Sequence, residues 1–245
     1  MFLFTPFILE GLPYVFKIGP EIYYLNRNRA SGTTQEGRVD GIRASLERIK
    51  ACGFYVGGDV LYGEGCISGH NRRKHSLVSN LADFIAEGRI GMTLMIPFAR
   101  YQYIIPYCGY GYFMEKNRFV NPSPLCYQTK DTFKFIAAGF LSGLNFTSQF
   151  SMGINVKARF MIDGRSKVTD DPDLDDLSLL MNDTSHYRIE VPFAYTFCDR
   201  LWNFDLEVAP FYEYRHFGGR EGFPFNFIDT KFNLFGARFA IGLRF

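Results

Sequence analysis

Apolar and polar residues alternate along most of this chain, a period of two that belongs to β-strands, whose side chains point to opposite faces at each step. The last stretch is the plainest: Phe235, Ala237, Phe239, Ile241, Leu243 and Phe245 form one row, with Gly236, Arg238, Ala240, Gly242 and Arg244 between them. Ten such segments are expected, over about 14–26, 37–49, 54–65, 82–96, 101–115, 131–144, 149–163, 186–198, 201–216 and 230–245. The segment at 82–96 sets Phe84, Ala86, Ile90, Met92, Leu94 and Ile96 against Asp83, Glu87, Arg89 and Thr93. The segment at 101–115 is aromatic on both faces and that at 131–144 is rich in Phe and Gly, which leaves their phase open.

The connections alternate long and short from end to end: 27–35, 66–81, 116–130, 164–185 and 217–229 are long, and those between are about four residues or fewer. This is the sidedness of an up-and-down antiparallel transmembrane β-barrel of about ten strands, with long outer loops and short inner turns. The all-β domain runs over 14–245, after an N-terminal segment at 1–13. A soluble barrel can show the same alternation. Strand length separates the two, because soluble strands average ~5–6 residues and a tilted membrane strand needs ~9–11. Aromatics near strand ends, Tyr14 and Tyr24, Phe54 and Tyr62, Trp202 and Tyr214, suit two interfacial girdles.

The closing row, ending on a terminal Phe, resembles the final strand of bacterial outer-membrane β-barrels. That resemblance implies residence in the outer membrane among lipid and lipopolysaccharide. It also implies an assembly signal, Phe239, Ile241, Leu243 and Phe245, read by the barrel-assembly machinery. The closing strand is then expected to pair with the first, with Arg238 and Arg244 in the lumen.

Composition agrees. The 245 residues include 27 Phe, 15 Tyr and 24 Gly, a mix for many strands and turns. No apolar run approaches the ~20 residues of a membrane helix. A net charge of +2 and the lack of a basic stripe argue against nucleic acid. Met1 to Leu9 is apolar without a basic start or a cleavage site, so a remnant of a signal and a misassigned start both stay open. Cys52, Cys66, Cys108, Cys126 and Cys198 lack metal or redox spacing and read as free thiols. The alternative is a Cys66–Cys126 pair, both cysteines falling in outer loops if the chain is exported.

The polar faces carry the charge. Lys17, Arg43, Arg89, Lys134, Lys157, Arg159, Arg188, Arg215, Arg238 and Arg244 are expected to point inward, with Glu21, Glu47, Asp59, Asp83, Glu87, Asp163, Glu190, Asp205, Glu207 and Glu213. A ten-stranded barrel has a narrow lumen, and unpaired charges there are costly unless wet. The signs balance, so a salt-bridged, mostly occluded interior is expected.

Candidate chemistry is sparse. The acidic run Asp170, Asp171, Asp173, Asp175 and Asp176 could hold Ca²⁺. Pro172 followed by Leu174, Leu177, Leu180 and Met181 points instead to a short amphipathic helix. His70, Arg72, Arg73, Lys74 and His75 form a basic cluster, able to meet lipopolysaccharide phosphates or the acidic run, and most simply read as a solvated loop. Ten-stranded barrels include the omptins, surface proteases with a paired-Asp site and an Asp-His site at the outer rim. No Asp-x-His motif occurs here, and the rim candidates are His186, near Asp183, and His216, near Glu213. They read as membrane-interface histidines rather than a catalytic pair. The apolar loop at 218–227 reads as folding over the mouth or meeting a partner. The expected function is a non-enzymatic outer-membrane barrel with a surface-structural or interaction role, without cofactor. A small passive pore and a rim hydrolase are the alternatives.

Overall fold

The computed structural model describes residues 14–50, 53–96, 102–147, 149–172, 175–198, 203–219 and 229–245. The segment at 1–13 and most of the loop at 218–227 lie outside them. The strands are β1 (Tyr14–Arg29), β2 (Thr33–Arg48), β3 (Phe54–His70), β4 (Ser76–Met92), β5 (Leu94–Met95), β6 (Gln102–Phe119) and β7 (Gln128–Asn145). They continue as β8 (Phe150–Thr169), β9 (Leu177–Leu180), β10 (Asn182–Glu190), β11 (Phe193–Cys198), β12 (Asn203–Gly218) and β13 (Thr230–Arg244).

These strands occupy ten staves. β5 continues β4 beyond Thr93, and β9, β10 and β11 run end to end between β8 and β12, interrupted at Met181 and at Val191 and Pro192. Proline has no N–H to give a ladder, and neighbours bridge the gap: Gly153 N donates to Pro192 O at 2.8 Å and Val191 N to Pro210 O at 3.0 Å. All pairings are antiparallel, and β13 pairs with both β12 and β1, which closes the ring. At the seam Tyr14 N donates to Phe245 O at 3.2 Å, Phe245 N to Tyr14 O at 3.1 Å, and the two rings stack at 5.9 Å. Closure leaves no unpaired sheet edge, the condition for a sheet in lipid.

The outer wall is apolar over one continuous band. On β13, Phe235, Phe239, Ile241 and Leu243 are exposed, as is Phe245 just after it, and on β3 so are Phe54, Val56, Val60 and Tyr62. Tyr24, Tyr62, Tyr112, Tyr187 and Phe235 lie toward its upper border, with Phe54, Phe197 and Phe245 at the lower. Ile241, whose neighbours across the ladder are Ile18 and Leu206, sits inside the band. Ile241→Lys is expected to cost about 2–4 kcal/mol, read from urea titrations of the barrel folded in vesicles. Asn233→Lys, above the band on the same strand, should cost under about 1 kcal/mol.

Strand positions match the alternation, but the outer ends run further. β3 and β4 continue through the expected 66–81 loop to a hairpin at 71–75, and β8 runs to Thr169. A 17-residue strand at ~3.3 Å per residue, tilted ~40°, rises about 40 Å, against an apolar band ~25 Å tall. The strands therefore project past the membrane. Alternation fades there because both faces meet water, while the hydrogen-bond ladder goes on. The connections between β1 and β2 and between β3 and β4 are correspondingly short, at 30–32 and 71–75.

The helix expected around Pro172–Met181 is not formed. Leu177–Leu180 is strand β9, with Leu180 opposite Arg165 and Leu177 opposite Val168. Asp170, at φ 64°, turns the chain so that β9 can pair back onto β8. Leu179 and Met181 are buried inside, a period-two spacing that the leucines also satisfy. Cys66, Cys108 and Cys126 are free and exposed, so Cys66 and Cys126 do not pair.

Candidate functional site

The interior of the barrel gathers the charges that the alternation placed on the polar faces. Lys17 and Arg238 meet Glu207, the former at 2.6 Å, and Arg244 meets Asp205 at 2.8 Å. Arg43 holds Glu21 at 2.6 Å and also Asp59. Lys157 lies 3.3 Å from Glu87 and 3.9 Å from Asp59, and Arg159 reaches Glu87 at 2.7 Å. Arg89 bridges Glu47 at 3.4 Å and Glu87 at 3.6 Å. Arg215 meets Asp83 and Glu213, each at 2.7 Å. Arg188 is the hub, at 2.9 Å from Glu21, 2.5 Å from Glu190 and 3.0 Å from Glu213. The pairs cross the lumen: Arg188 on β10 meets Glu21 on β1, and Arg159 on β8 meets Glu87 on β4. The belt is wettest at its inner end, where the Arg244 side chain is 30% exposed against 2% for Arg188.

Two expected members face the other way. Lys134 is exposed on the outer wall, because the inward phase of β7 is set by Asp131, Phe133, Phe135 and Ala137. Asp163 is also outside. A β-bulge shifts the register between Lys134 and Phe135, so Lys134 faces Asp163 while Phe135 faces Met161. One extra residue reverses which side chains point inward. Below the bulge Lys157 and Arg159 face in, and above it Gly164 and Ser166 do.

Above the charged belt lies a layer that the alternation did not reveal. Phe113 and Phe133 stack at 4.6 Å, and Phe217 meets them edge-on at 5.9 and 6.0 Å. Phe217 continues to Phe232 at 4.9 Å, and Phe135, Tyr23, Leu25, Leu61, Ile85 and Phe211 complete the cluster. Room for the rings comes from inward glycines. A Cβ on Gly111 would collide with the Phe135 ring, and one on Gly236 would lie 2.8 Å from the edge of Phe211. The two layers interlock through cation–π contacts, with the Arg188 guanidinium 3.6 Å from the Phe211 centroid and Arg215 5.2 Å from that of Phe113. Farther out, Arg27 pairs with Glu115, Gln35 donates to Ser79 at 3.0 Å, and Asn117 and Asp131 are buried beside them.

The missed residues share two origins. Phe113, Phe133, Phe135, Glu115 and Asp131 belong to the two segments whose phase is left open, where period two has little contrast to read. Arg27, Gln35, Ser79 and Asn117 lie in stretches read as loops.

The histidines are placed differently from expectation. His186 is fully buried among Phe113, Phe133 and Phe217, at 5.0, 5.2 and 5.7 Å between ring centres. Neither of its nitrogens has a hydrogen-bond partner, and Nδ1 lies 3.9 Å from Glu213. His216 is on the outer wall, where its Nε2 bonds Asp229, while Glu213 faces the lumen. The basic cluster His70 to His75 forms the β3–β4 hairpin tip, with the Asn71 side-chain Oδ1 accepting from Arg73 N and His75 N, each at 2.9 Å. Among the described residues, no group of acidic, His or Cys side chains suited to a metal ion occurs.

No protein-family profile matches this sequence. No curated protein matches it either. Solved structures do. The outer membrane protease OmpT from Escherichia coli superposes with a TM-score of 0.63 at 10% identity, covering 100% of this chain and 99% of that one. The translocator domain of the autotransporter NalP from Neisseria meningitidis gives 0.50 at 9% identity, over 97% and 90%. The chain thus has the fold of the bacterial outer-membrane β-barrels, and the outer membrane is the setting that buries its apolar wall.

Proposed function

We propose that this barrel is a non-conducting, non-enzymatic outer-membrane protein whose role is structural or recognitive and is carried by its projecting outer strands and rim. One observation carries the reading: the lumen is filled twice over, by a belt of crossing ion pairs and by a stacked aromatic layer above it. Water and solute would have to displace both. Phe239, Ile241, Leu243 and Phe245, on the lipid face of the last strand, are proposed as the signal read by the assembly machinery.

The likeness to a protease raises a catalytic alternative, which the histidines do not favour. General acid–base chemistry needs its groups converging on one substrate atom. His186 lies inside the aromatic layer and His216 outside the wall beside Asp229, so they cannot share a substrate.

Proteoliposomes loaded with a small sugar test the proposal. The wild-type barrel is expected to leave solute efflux at the rate of empty vesicles. Efflux rising with protein-to-lipid ratio would instead favour a passive pore, and peptide turnover lost on His216→Ala a rim hydrolase.

A further inference from the structure

On the outer wall, just above the aromatic border, β6, β7 and β8 carry Lys116, Arg118, Lys130, Lys134, Arg165 and Lys167 on their outward face. The ladder places Lys116 opposite Lys130 and Lys130 opposite Lys167, so three cations stand in one row across three adjacent strands. Directly opposed residues on one sheet face are about 5 Å apart, and like charges there destabilise the sheet. Among the described residues, none of the six has an ion-pair partner. Asp163, opposite Lys134, is the sole acid on this stretch of wall among the described residues; the acidic run follows at the hairpin tip.

The wall of β1 to β3 at this height is different. On β1 to β3 the outward groups include Asn26, Glu36, Arg38, Asp40 and Glu64, with Arg38 paired to Asp40 at 2.7 Å and Asn26 donating to Glu36 at 3.5 Å. Repulsion is concentrated on one wall and left uncompensated by the chain itself.

Height identifies what compensates it. Lys134 is level with Tyr112 in the ladder, and the row of Lys116 lies four residues farther out, about 10 Å along the normal. That span is where the headgroups of the outer leaflet lie. A cluster of unpaired Lys and Arg suits phosphate oxygens, through charge-assisted hydrogen bonds.

We propose that this wall binds the phosphates of an outer-leaflet glycolipid, a lipid A-type molecule with two phosphates on its sugar head. The site is separate from the lumen and holds whether or not the lumen conducts.

The test is calorimetric titration of the detergent-folded barrel with bis-phosphorylated lipid A and with its dephosphorylated form. Native protein is expected to prefer the phosphorylated form by at least about tenfold. Lys116→Gln/Lys130→Gln/Lys167→Gln should weaken that binding on the order of 100-fold, leaving the dephosphorylated form unaffected. Lys231→Gln, on the outer face of β13, should change neither. Folding is checked by heat-modifiable gel migration. In glycolipid-free detergent the triple variant should be at least as stable as native, since like-charge contacts are removed. Should it fail to fold, Lys130→Gln alone is expected to weaken binding about fivefold. Unchanged affinity in the folded variant would overturn the proposal. So would displacement of lipid A by millimolar inorganic phosphate, which would mark a free-anion site.

Discussion

Arg188→Ala is expected to lower the unfolding free energy of the barrel by about 3–5 kcal/mol, the cost of leaving buried charge without its partner. Among the described residues, Arg188 is the one cation within 3.0 Å of Glu21, Glu190 and Glu213 together, and its side chain is 2% exposed. Glu21 retains Arg43 and Glu213 retains Arg215, whereas Glu190 keeps only a hydrogen bond from Asn155 at 2.8 Å. The loss is therefore set by three crowded carboxylates, and it should shrink if they are neutralised. Arg188→Met combined with Glu21→Gln, Glu190→Gln and Glu213→Gln should regain most of it, since apolar or neutral replacement of a buried ionic group is often close to neutral. Urea titrations in lipid vesicles, read by gel migration of folded and unfolded forms, measure both. A loss below about 1 kcal/mol for Arg188→Ala would show that water, and not Arg188, compensates these carboxylates.

Removing the aromatic layer should have the larger functional effect. Phe113→Ala/Phe133→Ala/Phe217→Ala deletes the three rings that meet at 4.6 to 6.0 Å and surround His186. A single Phe→Ala in a packed core costs about 3–5 kcal/mol, and rings in mutual contact do not add independently. Part of the loss should be recovered as water reaches His186, Arg215 and Arg159, whose polar atoms are now enclosed. The triple variant is expected to be less stable by several kcal/mol and to turn solute efflux from undetectable to readily measured. A variant that folds and remains tight would place the seal in the ion-pair belt alone.

Both effects follow from parts of the barrel that were unequally legible. Strands such as 82–96 and 201–216 announce their inward charges because one face is apolar and the other is not. Asp83, Glu87, Arg89, Glu207 and Glu213 could be placed from period two alone. Phe113 and Phe133 could not, because an apolar side chain facing a narrow lumen looks the same in sequence as one facing lipid. Asp163 failed for a different reason: a single bulge opposite Lys134 reverses the phase, and no local residue preference marks it. The outer extensions were hidden because a strand wet on both faces has no contrast. His186 is a related case, since a histidine beside a run of polar residues gives no hint that three rings from other staves close around it.

Single-channel recording of the wild-type barrel in planar lipid bilayers tests the closed interior most directly. The filled lumen predicts a flat baseline at moderate voltage, with stable steps appearing when Phe113, Phe133 and Phe217 are replaced together. Stable, uniform conductance steps from the wild-type protein would contradict it.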